Sequence, residues 1–306
     1  MKLLLLLGLA VSLNANTFYL TVAGLGGAPE YEKQFTAWAQ EIDKRLHAVD
    51  AQAQITTLSG ASATRARVQA AIDQIAHQAK PEDDLVVMLI GHGTFDGADY
   101  KMNLPGPDLT AQDLANWLNR VPTGRQLVVN MTSCSGGSMS ALEHAKRIVI
   151  TATRSGSEKN LTVFPRYWVD SLRDDAANTD KNQTLSAIEA FRYASDKTVR
   201  FYESEKRLAT EHPSLLDTEH GTPVAKPSPE NGQGQLAARF PLLTFRDPAT
   251  AVLSPEKAKL LTHKQDLEAK IDELKYKKAA MQADDYKKQI AALLLDLART
   301  QAELDK

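Results

Sequence analysis

Two short polar stretches carry the residues best suited to covalent chemistry. Gly91-His92-Gly93-Thr94 follows directly on the apolar run LVVMLI, residues 85–90. Thr132-Ser133-Cys134-Ser135-Gly136-Gly137-Ser138-Met139 follows on QLVVNM, residues 126–131. A cysteine nucleophile needs a nearby imidazole to favour its thiolate and later to protonate the leaving amine. It also needs backbone N–H groups aimed at the developing oxyanion, and flanking glycines permit that close approach. His92 followed by Gly93, and Cys134 followed by a glycine pair, supply these parts, so the pair suggests acyl transfer by a Cys–His dyad. The other reading of the same residues is a turn histidine and a buried small hydrophobe, which is what a free cysteine usually is.

Other chemistries fit worse. Gly24-Leu25-Gly26-Gly27 after an apolar run suggests a dinucleotide fingerprint, but no third glycine follows at the required spacing. No Gly-x-Ser-x-Gly elbow occurs. The seven histidines are scattered without paired ligand spacing, and a single cysteine excludes a multi-cysteine metal site or a disulfide framework. Asp217, Glu219 and Gly221 suggest a calcium loop only faintly; a solvated turn explains them better. No cofactor and no metal are expected.

The elements that must hold the two loops alternate regularly. Residues 18–23 (FYLTVA), 54–58, 85–90, 126–131 and 147–151 (RIVIT) are apolar enough for buried strands. Between the first two, Tyr31, Phe35, Trp38, Ile42 and Leu46 recur at helical spacing; Val68, Ala71, Ile72 and Ile75 stripe a second helix. Thr110 with Asp113 reads as a capping box opening a third helix, which carries Leu114, Trp117 and Leu118. This pattern predicts an α/β domain with a mostly parallel sheet covered by helices on both faces. In such a sheet, chemistry collects at the carboxyl edge, where both reactive loops leave. Further on, residues 164–172 predict a short aromatic helix and 184–209 a longer one. Residues 211–248 are rich in Pro, Gly and polar side chains and predict an irregular surface excursion. From Ser254 and Pro255, two apolar stripes (Leu260, Leu267, Ile271, Leu274; then Met281, Ile290, Leu293, Leu294, Leu297) predict an antiparallel helical hairpin, a short coiled coil able to support self-association.

Met1 and Lys2 precede an apolar run ending near Val11, with Ala15 after it: a secretory signal peptide over residues 1–16, too short for a membrane span. The expected divisions are thus 1–16 signal peptide, 17–210 catalytic domain, 211–253 irregular surface segment and 254–306 helical hairpin. Export to the periplasm or the exterior is expected, with no membrane span in the mature chain. With 36 Lys plus Arg against 38 Asp plus Glu, the net charge of −2 leaves no field to recruit nucleic acid. A partner must be recognised at a site.

An apolar strand ending in His-Gly, followed some forty residues later by a second ending in a cysteine, resembles the caspase-like cysteine peptidases. The run Cys134-Ser135-Gly136-Gly137-Ser138-Met139 is most similar to the legumain branch, and the resemblance extends over IVITAT, residues 148–153, and the aromatic helix around Tyr167 and Trp168. It implies a caspase-like α/β fold with a C-terminal helical extension and peptide or protein substrates. It also implies His92 as general acid and base, Cys134 as nucleophile, and the Gly93 and Cys134 amides as the oxyanion hole. Legumains carry an asparagine and an arginine in the loop that is Gly24-Leu25-Gly26-Gly27 here. They have an acidic residue where Thr132 stands, and a pocket serine that aligns with Thr153. The dyad is present and the asparagine pocket is not, which implies a specificity site formed by Gly24, Thr132, Thr153 and Glu158, with Glu158 able to favour a basic residue. The expected function is a secreted cysteine endopeptidase, able also to act as a transpeptidase. The alternatives are an idle caspase-like fold serving as a binding module, and an assembly protein driven by its C-terminal helices.

Overall fold

The computed structural model describes residues 15–49, 53–182, 184–244 and 255–305. Most of the expected signal peptide, residues 1–14, lies outside the described residues. Strands β1 (Thr17–Ala23), β2 (Gln54–Leu58), β3 (Asp84–Ile90), β7 (Arg125–Asn130) and β8 (Arg147–Thr151) run parallel, and β10 (Ser214–Leu216) closes one edge antiparallel to β8; the order is β10-β8-β7-β3-β1-β2. The fold class is therefore the α/β arrangement expected.

Alternation along the strands builds two cores. Val86, Met88, Ile90, Leu127, Val129, Ile148 and Ile150 face one layer, formed by α1 (Pro29–Val49), α5 (Phe164–Ser171) and α6 (Ala187–Ser204). Leu85, Val87, Leu89, Val128 and Val149 face the other, formed by α2 (Arg65–Gln78), α3 (Ala111–Leu118) and α4 (Met139–Leu142). Thr110 caps α3 by accepting the Asp113 N–H at 3.0 Å. A small antiparallel sheet, β4 (Gly93–Phe95), β5 (Tyr100–Met102) and β6 (Leu109–Thr110), folds over the end of β3; its strands are too short for a periodicity argument to find.

The segment after α6 departs from expectation. Residues 211–248 do not form a surface excursion throughout: Leu215 and Leu216 of β10 are buried in the main sheet, so that sheet extends past residue 210. β11 (Pro241–Thr244) pairs with β9 (Thr184–Ser186), and Phe240, Leu242 and Leu243 are buried beside it. Buried Asp217 accepts the N–H groups of Gly234 at 2.6 Å and Ala237 at 2.9 Å, opening the short helix α7 (Gln235–Ala238). Apolar pairs separated by Pro, Gly and polar residues carry no period, yet each pair fills a slot. Residues 184–186 are likewise strand rather than helix, and α6 begins at a capping box between Ser186 and Glu189.

Glu211 fastens this segment to the aromatic helix. Its carboxylate accepts the Val163 and Phe164 N–H groups at the start of α5 and the Tyr202 hydroxyl, and burial pushes its pKa up to about 7. A carboxyl raised in the folded state contributes stability that is complete below its unfolded pKa and lost as pH rises through about 7. Between pH 4.5 and 7 the loss is at most about 3 kcal/mol. Glu211→Gln should flatten the melting temperature over that window; an unchanged slope would remove the assignment.

α8 (Pro255–Tyr276) and α9 (Ala283–Leu304) form the expected hairpin, closed by Lys257 Nζ on the Leu304 carbonyl at 3.2 Å. Leu267, Ile271 and Leu274 are buried, whereas Leu294 and Leu295 on α9 are about half exposed. Among the described residues no helix is long and apolar enough to cross a membrane. Glu273 pairs with Arg239, whose carbonyl accepts Arg125 Nη1 at 2.6 Å; Arg125 in turn bridges to Asp84 at the first residue of β3. The hairpin thus docks toward the amino edge of the sheet, opposite the reactive loops. Deleting residues 254–306 should leave turnover per folded molecule within about twofold while lowering the melting temperature, because an apolar contact is lost without uncovering the site. A tenfold gain in turnover would show instead that the hairpin covers it.

Candidate active site

β3 and β7 are hydrogen-bonded neighbours, so the loops after them leave side by side. Reciprocal bonds join the two: the Gly93 N–H donates to Ser133 Oγ at 3.0 Å, and that hydroxyl donates to the Gly93 carbonyl at 3.1 Å. A Cβ at Gly93 would sit 2.5 Å from the Ser133 carbonyl oxygen and 2.6 Å from the Tyr100 ring, so only glycine permits this approach.

His92 is half-buried against the first turns of α1, with the Tyr31 and Phe35 rings meeting it edge-on at 5.8 and 5.3 Å. Its Nε2 lies 3.0 Å from the Gly26 carbonyl. A carbonyl only accepts, so Nε2 carries the proton and Nδ1 holds the basic lone pair. Gly26 is placed by its own N–H, which donates to Glu32 in the first turn of α1 at 2.7 Å. None of Tyr31, Glu32 and Phe35 stands out from sequence as part of the site, because the stripe on α1 reads as core.

Cys134 occupies the left-handed region, φ 56° and ψ 8°, rare for a residue with a Cβ and costing roughly 1–3 kcal/mol. The thiol is buried, at 2% exposure. Burial pushes its pKa up, while the Lys159 charge and the Phe95 N–H pull the other way. The resting thiol is therefore protonated, and a base must take its proton when it reacts. The Phe95 ring lies against Gly137 and Gly156, between the two loops flanking the cysteine.

The amides expected to form an oxyanion hole both have partners here. Gly93 N–H is on Ser133 Oγ, and Cys134 N–H donates to the Glu158 carbonyl at 2.8 Å. The specificity residues are also disposed differently from expectation. Gly24 is buried, its α-carbon packed so closely on the Asn103 carbonyl that a Cβ would lie at 2.5 Å; Leu25 and Gly27 are the exposed residues of that loop. Thr132 is fully buried, its hydroxyl bound to Asn130 and Tyr100. Thr153 is fully buried too, accepting the Gly136 N–H at 2.8 Å. The Glu158 carboxylate meets His212 Nδ1 at 2.5 Å and accepts the N–H groups of Arg154 and His212, so it is not open to a substrate cation. Short hydroxyl side chains at strand ends turn inward where backbone groups need partners.

A family model, the peptidase C13 family, matches residues 27–204, which include both reactive loops. No curated protein matches. Among solved structures, the chain is similar to a crystal structure of a Geobacter sulfurreducens protein at 14% identity and a TM-score of 0.48, over 76% of this chain and 100% of that one.

Proposed function

The chain belongs to the peptidase C13 family and is a cysteine peptidase; on that premise we propose that it is an endopeptidase whose nucleophile is Cys134 and whose general base and acid is His92. The observation that carries the reading is the pairing of the two loops: Gly93 and Ser133 bond reciprocally, and Gly26 fixes the tautomer that leaves His92 Nδ1 basic. Nδ1 takes the Cys134 proton as sulfur attacks the peptide carbonyl. The tetrahedral intermediate collapses to a thioester as the imidazolium protonates the departing amine. Water then attacks the thioester, giving a proton to His92, and the acid is released with the thiol restored. An amine in place of water makes the same step a transpeptidation.

For the oxyanion to reach the Gly93 and Cys134 amides, the Ser133 hydroxyl and the Glu158 carbonyl must yield. An anion forms the stronger hydrogen bonds, roughly twice those of a neutral acceptor, which favours the exchange once charge develops. The second reading, an idle fold used as a binding module, is favoured by these occupied amides and the buried thiol. Sequence residues 1–16 support export.

The substrate is a protein or peptide without strict asparagine at the cleaved position. Thr132 and Thr153 spend their hydroxyls internally and Glu158 is paired with His212, so the expected basic preference loses its carboxylate. A site without dedicated polar partners discriminates weakly between polar side chains. Cleavage of a mixed peptide library should show small and neutral residues before the cut, with asparagine less than about tenfold enriched. A profile dominated by asparagine would contradict this pocket, and no cleavage at all would favour the idle fold.

A further inference from the structure

A chain of buried polar groups runs beneath the nucleophile turn and is not used by the chemistry above. Tyr100, Asn130, Thr132, Ser135 and Ser138 are each at most 3% exposed. Asn130, the last residue of β7, stands at the middle. Its Oδ1 accepts the Thr132 hydroxyl at 2.8 Å and the Thr132 N–H at 3.3 Å; its Nδ2 donates to Ser138 Oγ at 3.0 Å. Ser138 spends its own proton on the Ser135 carbonyl at 2.6 Å, so its oxygen can only accept from Asn130. The Thr132 N–H can only donate. These two facts fix which way the amide faces. At the far end the Tyr100 hydroxyl lies 2.6 Å from Thr132 Oγ1 and 3.2 Å from Asn130 Oδ1, and the Thr132 hydroxyl also lies 3.0 Å from the Ser133 carbonyl. Asn130 Oδ1 is thus surrounded by the Tyr100 and Thr132 groups, while its Nδ2 feeds a one-way run through Ser138 to the Ser135 carbonyl.

One amide therefore grips residue 132, two before Cys134, and through Ser138 grips residue 135, one after it. Cys134 sits between the grips in a left-handed backbone conformation that few non-glycine residues adopt. No side chain that lacks either a donor or an acceptor can bridge both sides. We propose that Asn130 is a positioning residue for the peptidase reaction, holding the Cys134 turn in its left-handed geometry through Thr132 on one side and Ser138 on the other. The inference rests on Cys134 being the nucleophile.

The test measures kcat and KM on a cleaved peptide, and the rate of Cys134 alkylation by iodoacetamide against pH, in the full chain. Asn130→Ala should lower kcat about a hundredfold with KM within about threefold, because a displaced nucleophile fails in the transition state and not in binding. Its alkylation profile should shift, since the sulfur leaves its present surroundings. Ser138→Ala, which cuts only one grip, should lower kcat about tenfold and serves if Asn130→Ala does not fold. Ile72→Ala in α2 loses a core side chain hydrogen-bonded to neither loop and controls for lost stability. If Cys134→Ala is dead while Asn130→Ala and Ser138→Ala keep kcat within about threefold, or lose no more than Ile72→Ala does, the positioning role is overturned. Turnover surviving in Cys134→Ala would overturn the nucleophile assignment instead.

Discussion

Cys134→Ala should cut turnover by roughly 10⁴-fold or more while moving the melting temperature by only a few degrees. Loss of a covalent nucleophile removes the reaction path itself, whereas residual binding and oxyanion contacts leave little behind. The stability cost is small because one sulfur is lost and the left-handed backbone, no easier for alanine than for cysteine, is kept by the same neighbours. His92→Ala should be comparably inactive. The buried thiol is held protonated, so without an imidazole little thiolate forms at neutral pH. Peptide cleavage and thermal melting on the two variants check both halves, and full turnover in either would remove the mechanism.

The second large effect is expected at Gly93. An alanine there would place its Cβ 2.5 Å from the Ser133 carbonyl oxygen, 2.6 Å from the Tyr100 ring and 2.9 Å from Thr132 Oγ1. The first of these is backbone of the nucleophile loop, and the others belong to a filled polar core, so no flexible side chain can swing aside. The loops must part, which breaks the Gly93–Ser133 pair and shifts His92 relative to Cys134. Overpacking of this kind costs about 1–3 kcal/mol, and a displacement near 1 Å costs about 10²-fold in rate. kcat/KM together with a melting curve would show both losses; a Gly93→Ala protein with unchanged kcat/KM would mean that the loops are not in fixed register.

How far the sequence reaches is clearest at particular residues. The strands ending at Ile90 and Asn130 are unbroken apolar runs, and a parallel sheet must deliver the loops after them to one edge; His92 and Cys134 are legible for that reason. β10 and β11 escape because three or four residues set among Pro and Gly carry no period, although Leu215, Leu216 and Leu242 fill the core. Thr132 and Thr153 look like loop polar groups by position, yet they bury their hydroxyls, because sequence gives the residue type and not the direction of its oxygen. Glu158 shows the same limit: its carbonyl touches the Cys134 amide while its carboxylate turns to His212. Asn130 reads in sequence only as the end of a strand. Its polarity inside an apolar run, QLVVNM, is the signal available, since a buried amide needs partners and the adjoining turn supplies the Thr132 N–H and the Ser138 hydroxyl.

In the proposed reaction the only cysteine in the chain attacks the peptide carbonyl with help from His92. That attack is tested most directly by treating the native protein with a peptidyl electrophile that reacts with thiols, then mapping the modified residue by mass. Labelling of Cys134 should be stoichiometric and saturable, compete with peptide substrate, slow sharply in His92→Ala and lose its saturation when the protein is unfolded. Peptide cleavage that continues at full rate with Cys134 quantitatively blocked would contradict it.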